Sequence, residues 1–207
     1  TLSKLEYVPL IPNKKIKNKF QNEYLKSITN ENNISFVYKF AKILKIKDKS
    51  FINSLNTFKG LSHRSEVFYK KGKIKFINDS KATSFESSKF ALQSNKNIFW
   101  IVGGLPKLGD KFRLEGLKKN IIKSYIIGKH TKFFKRHLSK SKINFEISKN
   151  LKIAIRRILN EIKNMRTNKE ATILLSPASA SYDQYKNFEE RGKEFKKLVK
   201  LYGKNLF

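Results

Sequence analysis

The chain contains no cysteine, so disulfide scaffolds, cysteine zinc sites and thiol nucleophiles are excluded from the start. It is poor in acid, with 16 Asp and Glu against 46 Lys and Arg, a formal charge of +30 over 207 residues. Arginine is scarce too: seven of those 46 cations, leaving 39 lysines. No apolar run approaches the roughly 20 residues that cross a bilayer; the longest covers 98–104. With no signal-peptide pattern either, the expectation is a soluble, cytoplasmic protein that does not enter membranes. The first residue is Thr1 rather than methionine, and we expect a further segment upstream. The 39% hydrophobic content suffices for the core of one complete domain and part of another.

A charge of this size first suggests nucleic acid, because clustered cations release counterions from phosphate backbones. Readers of phosphates and bases favour the bidentate fork of arginine, however, and this chain spreads lysines from Lys4 to Lys204. Lysine enrichment alongside Asn, Ile and Phe reads as a coding bias, and a nucleic-acid partner is not expected.

Residues 1–26 show a poor pattern: a short apolar stretch at 7–11, then Lys14, Lys15, Lys17 and Lys19. A helix is expected over 32–46 with Val37, Phe40, Ala41 and Leu44 on one face, and a second over 49–57 that stops before Gly60. Beyond Gly60 the punctuation changes. Strands are expected over 66–69 and 74–78 with a turn at Lys71-Gly72, then strands at 98–102, 125–127, 143–147 and 172–175. Helices are expected over 111–120, 131–138, 150–165 and 186–202 between and after them. The run 98–102 is apolar throughout, as a strand covered on both faces requires, and 143–147 alternates as an edge strand does. The fold class is therefore α/β: an open, mostly parallel sheet with helices on both faces. Ligands of such sheets sit beyond the carboxyl ends of the strands.

Three strand-end loops offer chemistry. In 78–83 (NDSKAT) an acid, a base and two hydroxyls could hold a ribose or metal and a phosphate, or Thr83 or Ser84 could cap a helix with Asp79 in a turn. In 103–111 the glycines suggest a phosphate loop, but Asp110 stands where its lysine belongs. Lys107 remains there as a cation for a substrate anion or as a solvated lysine. The loop 176–183 is small and rich in hydroxyls, fit for a carboxylate or for a tight crossover. Arg64, at the junction of the two units, could clamp a phosphate or form a salt bridge. His63, His130 and His137 are too scattered for metal spacing, and no G-x-S-x-G elbow is present.

Together these segments resemble the C-terminal part of a Mur ligase, of the MurD type. Residues 58–66 (FKGLSHRSE) are similar to F-x-G-L-P-H-R-x-E, with Ser62 for proline; 78–83 match N-D-S-K-A-T; 176–192 (SPASASYDQYKNFEERG) match S-P-A-x-A-S-x-D-Q-F-x-N-F-E-x-R-G. The resemblance covers about 27–203. It implies a helical remnant of the central ATP-binding domain over 1–57 and a Rossmann-like, amino-acid-binding domain over 58–207. The implied activity is an ADP-forming ligase of peptidoglycan precursor synthesis, adding D-glutamate to UDP-N-acetylmuramoyl-L-alanine with ATP and Mg2+. Position by position, Arg64 would contact a phosphate, Asp79 the ribose and Lys81 the phosphates, with Lys81 and Arg64 in the catalytic role. Thr83, Lys107, Ser181, Tyr182 and Phe188 would surround D-glutamate. Asn30 and Asn33 take the places of two asparagines near the adenine, although Ile28 and Thr29 replace the glycine and histidine of that motif. Tyr182, Tyr185 and Ser84 depart from the usual residues. The uridine-binding domain, the phosphate loop and the main magnesium ligands would lie upstream, so no metal ligand is assigned here. The implied partners are these missing N-terminal and central domains and the small-molecule substrates, around a monomer. The alternative reading is a basic nucleic-acid-binding module on a ligase-like fold.

Overall fold

The structure is a computed structural model that describes residues 16, 19–22, 25, 28–110, 112–165 and 170–204. The chain divides into two compact units, Thr1–Gly60 and Leu61–Phe207. The stretch 7–11 and Lys14, Lys15 and Lys17, singled out in the sequence, lie outside the described residues.

The first unit carries helices α1 (Ile28–Ile43) and α2 (Asp48–Thr57). Ile34, Ala41, Phe51 and Leu55 are buried together, and the Tyr38 and Phe51 rings lie 5.2 Å apart. The inward face of α1 is not the expected one. Ala41 is buried, but Val37, Phe40 and Leu44 are 55%, 60% and 68% exposed. This helix is apolar on two sides, and periodicity alone does not tell which side packs inward. It also ends before the expected Ile46, because Lys45 takes a left-handed conformation at φ 56.

The second unit begins with β1 (Glu66–Lys71) and β2 (Ile74–Asn78), an antiparallel hairpin whose loop is Gly72-Lys73, one residue later than expected. Gly72 sits at φ 55, which suits glycine in a tight two-residue loop. Four further strands follow: β3 (Ile98–Gly103), β4 (Ile121–Ile127), β5 (Phe145–Lys149) and β6 (Ala171–Leu175). The sheet order is β1-β2-β6-β3-β4-β5, and every pairing except β1 with β2 is parallel. β5 takes the edge, as its alternation requires.

Both faces are covered. On one side Phe85 and Leu92 of α3 (Phe85–Gln93) and Phe134 and Leu138 of α4 (Thr131–Lys140) pack with Ile98, Trp100 and Val102. On the other, Leu151, Ile155 and Ile158 of α5 (Leu151–Asn164) and Phe195 and Val199 of α6 (Phe188–Gly203) pack with Phe99 and Ile101. The apolar run of β3 thus serves two cores at once. Asn150 caps α5 and Asn187 caps α6 through their side-chain oxygens.

The helix expected over 111–120 is not formed. Lys111 lies outside the described residues, and after it only a 3-10 turn, Lys118–Asn120, is helical. Gly116 at φ 74 breaks the helical path, and Phe112, Leu114 and Leu117 are buried from an irregular segment instead. Phe112 lies 4.2 Å from the Phe85 ring and 6.0 Å from that of Trp100. These apolar side chains dock onto the core without forming a helix face.

The topology places the site. β6, last in the chain, inserts between β2 and β3. The loops after these three neighbours, 78–83, 103–110 and 176–183, therefore emerge side by side, at the point where an open parallel sheet leaves a crevice.

Candidate functional site

The first bond that joins these loops is a short one. Asp79 leaves β2 and is 7% exposed; its Oδ2 accepts from Ser176 Oγ at 2.6 Å, at the end of β6. Its Oδ1 accepts from the Ser65 N–H at 3.0 Å, which ties in the segment holding Arg64. Burial raises the Asp79 carboxyl to about 6, against the hydrogen bonds from Ser176 and Ser65 and the charge of Arg64, which pull it down.

Around Asp79 the segment 61–66 is bent by two non-glycine residues in left-handed conformations, His63 at φ 64 and Ser65 at φ 43. His63 is buried, and its O accepts from the Lys81 N–H at 3.0 Å. Asn78 Nδ2 lies 2.9 Å from His63 Nδ1 and donates to the Gly192 carbonyl at 3.1 Å. Burial pushes the His63 ring below its ordinary pKa. Glu66 accepts from the His63 N–H through Oε2 and pairs with Lys196 at 2.6 Å through Oε1.

A second junction runs through α6. Arg191, 1% exposed, donates from Nε to Ser80 Oγ at 3.0 Å and from Nη2 to the carbonyls of Ser80 at 2.9 Å and Ser179 at 3.1 Å. Ser80 Oγ in turn donates to the Phe188 carbonyl at 2.8 Å. Lys81 extends over Phe188, its Nζ 4.0 Å from the ring centre.

The third loop is joined by a two-way backbone bridge: Leu105 N–H to Ala180 O at 2.9 Å and Ala180 N–H to Leu105 O at 3.0 Å. Two glycines make room for this. A Cβ on Gly104 would lie 2.3 Å from Ala180 O, and one on Gly128 would meet the Asp183 carboxylate at 2.4 Å. Asp183 instead accepts from the Lys129 N–H at 2.8 Å. Ala178, buried and at φ 57, is the strained residue of the 176–183 turn.

The open alternatives resolve residue by residue. Ser84, not Thr83, is the N-cap of α3, accepting from Ser87 N, which leaves Thr83 exposed. Asp110, which spoils the phosphate-loop pattern, accepts from the Phe85 N–H at 2.8 Å and so serves the same helix start. Of the sequence-predicted site residues, Lys81 and Phe188 touch, and Asp79 and Arg64 flank one turn. Ser181 is buried in its loop, whereas Lys107, Tyr182 and Arg64 are exposed at the rim. Asn30 and Asn33 belong to α1 of the first unit. Among the described residues, no group of three His, Cys, Asp or Glu side chains could hold a metal ion.

Arg191 and Asn78 did not emerge from the sequence reading as site residues. A signal for Arg191 was present: it falls four residues before Phe195, on the face of α6 that packs inward. A cation at an apolar position of an amphipathic helix calls for a buried partner.

No family model matches the chain. It is 42% identical over 185 residues to a UDP-N-acetylmuramoylalanine–D-glutamate ligase of Fusobacterium nucleatum, a match that spans 86% of this chain and 42% of that protein. It is 41% identical over 171 residues to the ligase of the same name from Wolbachia pipientis, spanning 81% of this chain and 32% of that one. The chain thus spans well under half the length of the curated relatives it matches. Among solved structures, MurF from Acinetobacter baumannii superposes with a TM-score of 0.61 at 15% identity, covering 86% of this chain and 38% of that one. MurC from Thermotoga maritima gives 0.57 at 16% identity, covering 84% and 38%. At these identities the structures speak for the fold, and the curated relatives for kinship. Over more than four fifths of its length the chain is similar in sequence to UDP-N-acetylmuramoylalanine–D-glutamate ligases, and its fold is similar to that of the Mur ligases MurF and MurC.

Proposed function

We propose that the chain is the C-terminal portion of an ATP-dependent ligase that joins D-glutamate to UDP-N-acetylmuramoyl-L-alanine in the cytoplasm, acting as a monomer once its upstream domains are present. Residues 1–57 would complete the ATP-binding domain and 58–207 would bind the amino acid. The observation that carries this reading is the interlocking of three strand-end loops by Asp79–Ser176, Arg191 and Leu105–Ala180, which gathers the matched motifs at one sheet rim.

The chemistry asks for positioning and charge neutralisation rather than a protein nucleophile. ATP phosphorylates the substrate carboxylate, ADP leaves, and the D-glutamate amine attacks the acyl phosphate to form the amide and release phosphate. Lys81, held over Phe188, and Arg64, exposed beside Asp79, would offset the phosphate charge. Asp79 Oδ2 retains a lone pair beyond the one used by Ser176, enough to accept from a ribose hydroxyl, while Oδ1 takes both the N–H and the hydroxyl of Ser65. Lys107 would meet a carboxylate of D-glutamate, and Thr83, Ser181, Tyr182 and Phe188 would complete its surroundings. Asn30 and Asn33 would lie near the adenine. Among the described residues no group of carboxylates and imidazoles could hold magnesium, whose ligands would come from the upstream domains.

The test is a fusion of this chain to the upstream part of the Fusobacterium nucleatum ligase, assayed for ADP release. D-glutamate-dependent turnover by the fusion and none by the chain alone supports the reading. Turnover by the isolated chain, or a folded fusion that takes a different amino acid, overturns it.

A further inference from the structure

Among the described residues, Arg191 is the buried member of a large set of cations, and the manner of its burial is unusual. Among the described residues no carboxylate lies within hydrogen-bonding distance of it, and Asp183 acts on it through charge alone. Its bonds go to one hydroxyl and two carbonyls, and Nη1 has no hydrogen-bond partner although it is buried. A guanidinium removed from water on these terms is costly, and an apolar side chain of similar volume commonly leaves a fold as stable or more so. Stability alone therefore does not account for this arginine.

Its geometry does. The planar fork reaches Ser80 from two nitrogens and Ser179 from one of them, so a single rigid group adds a second tie between two turns that Asp79 and Ser176 join at the strand ends. Lys81 follows Ser80 directly, and Ser181 lies two residues after Ser179. Gly104 closes the third side, where a Cβ would come 3.3 Å from Nη1. We propose that Arg191 is a positioning residue that sets the span between the Lys81 and Ser181 turns, and thereby the length of acidic amino acid the site accepts. This inference rests on the reading of the site as the amino-acid-binding half of the ligase. A lysine keeps the charge but puts all its donors on one nitrogen at the end of a flexible stem, so it does not hold the span as the rigid fork does.

The experiment titrates the whole chain with D-glutamate and with D-aspartate, one methylene shorter, following amide resonances by NMR. The variants are Arg191→Lys, Arg191→Met and, as a milder probe, Ser80→Ala, which removes the hydroxyl that Nε bonds, and with it the bond to the Phe188 carbonyl, while leaving the two carbonyl contacts of Arg191. The wild-type chain is expected to prefer D-glutamate by about tenfold, the discrimination one methylene commonly gives. Folded Arg191→Met and Arg191→Lys proteins are expected to lose most of that preference, and Ser80→Ala part of it, with thermal midpoints close to wild type for Arg191→Met. A purely structural arginine would shift the midpoint and leave the preference alone. Folded variants that keep the full preference, Ser80→Ala included, overturn the inference while leaving the functional reading standing. A wild-type chain that binds neither amino acid overturns the reading itself, and the inference with it.

Discussion

Ser176 Oγ lies 2.6 Å from Asp79 Oδ2, joining the carboxyl ends of two neighbouring parallel strands 97 residues apart in sequence. The bond is buried at both ends. It turns two loops that the sequence offers separately into one rim, and it makes that rim sensitive to the ionisation of a single carboxyl.

The carboxyl of Asp79, raised from 3.8 to about 6 chiefly by burial, gives a pH dependence whose sign runs against that of ordinary paired acids. Its proton is held more tightly in the folded state than in the unfolded chain. Its favourable contribution is therefore complete below about pH 4 and is lost as the pH rises through about 6. Asp79→Asn removes this titration. Urea unfolding at pH 4 and pH 7 should show the wild type losing on the order of 3 kcal/mol relative to Asp79→Asn between those pH values. Parallel curves for the two proteins would mean that Asp79 keeps an ordinary pKa.

Ser176→Ala removes the hydroxyl donor and leaves a buried carboxylate oxygen short of a partner. The cost should be about 1–3 kcal/mol above pH 6, where Asp79 is ionised, and smaller at pH 4, where the neutral acid needs no such donor. Comparing denaturation midpoints at the two pH values tests this. A pH-independent loss would place the role of Ser176 in packing alone.

How much of this was legible beforehand differs from one region to the next. The apolar run of β3, the alternation of β5 and the long stripe of α5 gave the sheet and its two helix layers, because period and hydrophobicity are local properties. The segment 112–117 departs from the expected helix because the left-handed Gly116 and the docking of Phe112 beside Phe85 and Trp100, neither of them a periodicity signal, decide its path. For the site, Asp79, Lys81 and the 176–183 loop stood out as strand-end chemistry. The Asp79–Ser176 bond and the Arg191 fork did not, since they depend on β6 inserting between β2 and β3, a non-local choice. In α1, Val37, Phe40 and Leu44 follow the same helical period as the residues that are buried, so the pattern could not choose between the two faces.

Asp110 marks where a motif pattern and the chemistry part company. Asp110→Lys would place a lysine after Gly109 and bring the loop closer to a phosphate-binding pattern. In the fold, however, this carboxylate accepts from the Phe85 N–H, the first donor of α3. Losing that bond and placing a cation at the positive end of a helix should cost about 1–2 kcal/mol. No phosphate affinity should be gained, because an irregular segment rather than a helix N-terminus follows the loop. Urea denaturation reads the first effect, and isothermal titration with inorganic phosphate reads the second. Unchanged stability together with phosphate binding would refute both.

Gly192 lies inside α6, where replacing glycine by alanine ordinarily stabilises a helix by about 1 kcal/mol. Here a Cβ would fall 2.2 Å from His63 Nδ1. The ring has little room to withdraw: His63 is buried, its backbone is left-handed at φ 64, and Asn78 holds Nδ1 while also bonding the Gly192 carbonyl. Overpacking against such a group costs about 1–3 kcal/mol, which outweighs the propensity gain in most of that range. Gly192→Ala should therefore lower the thermal midpoint by about 2–6 °C. The double variant Gly192→Ala with His63→Ala should recover part of that loss, because removing the ring makes room for the methyl while keeping the better helix former. If the two losses simply add, His63 and Gly192 are not coupled and the packing of α6 against the 61–66 turn is looser than the distances indicate.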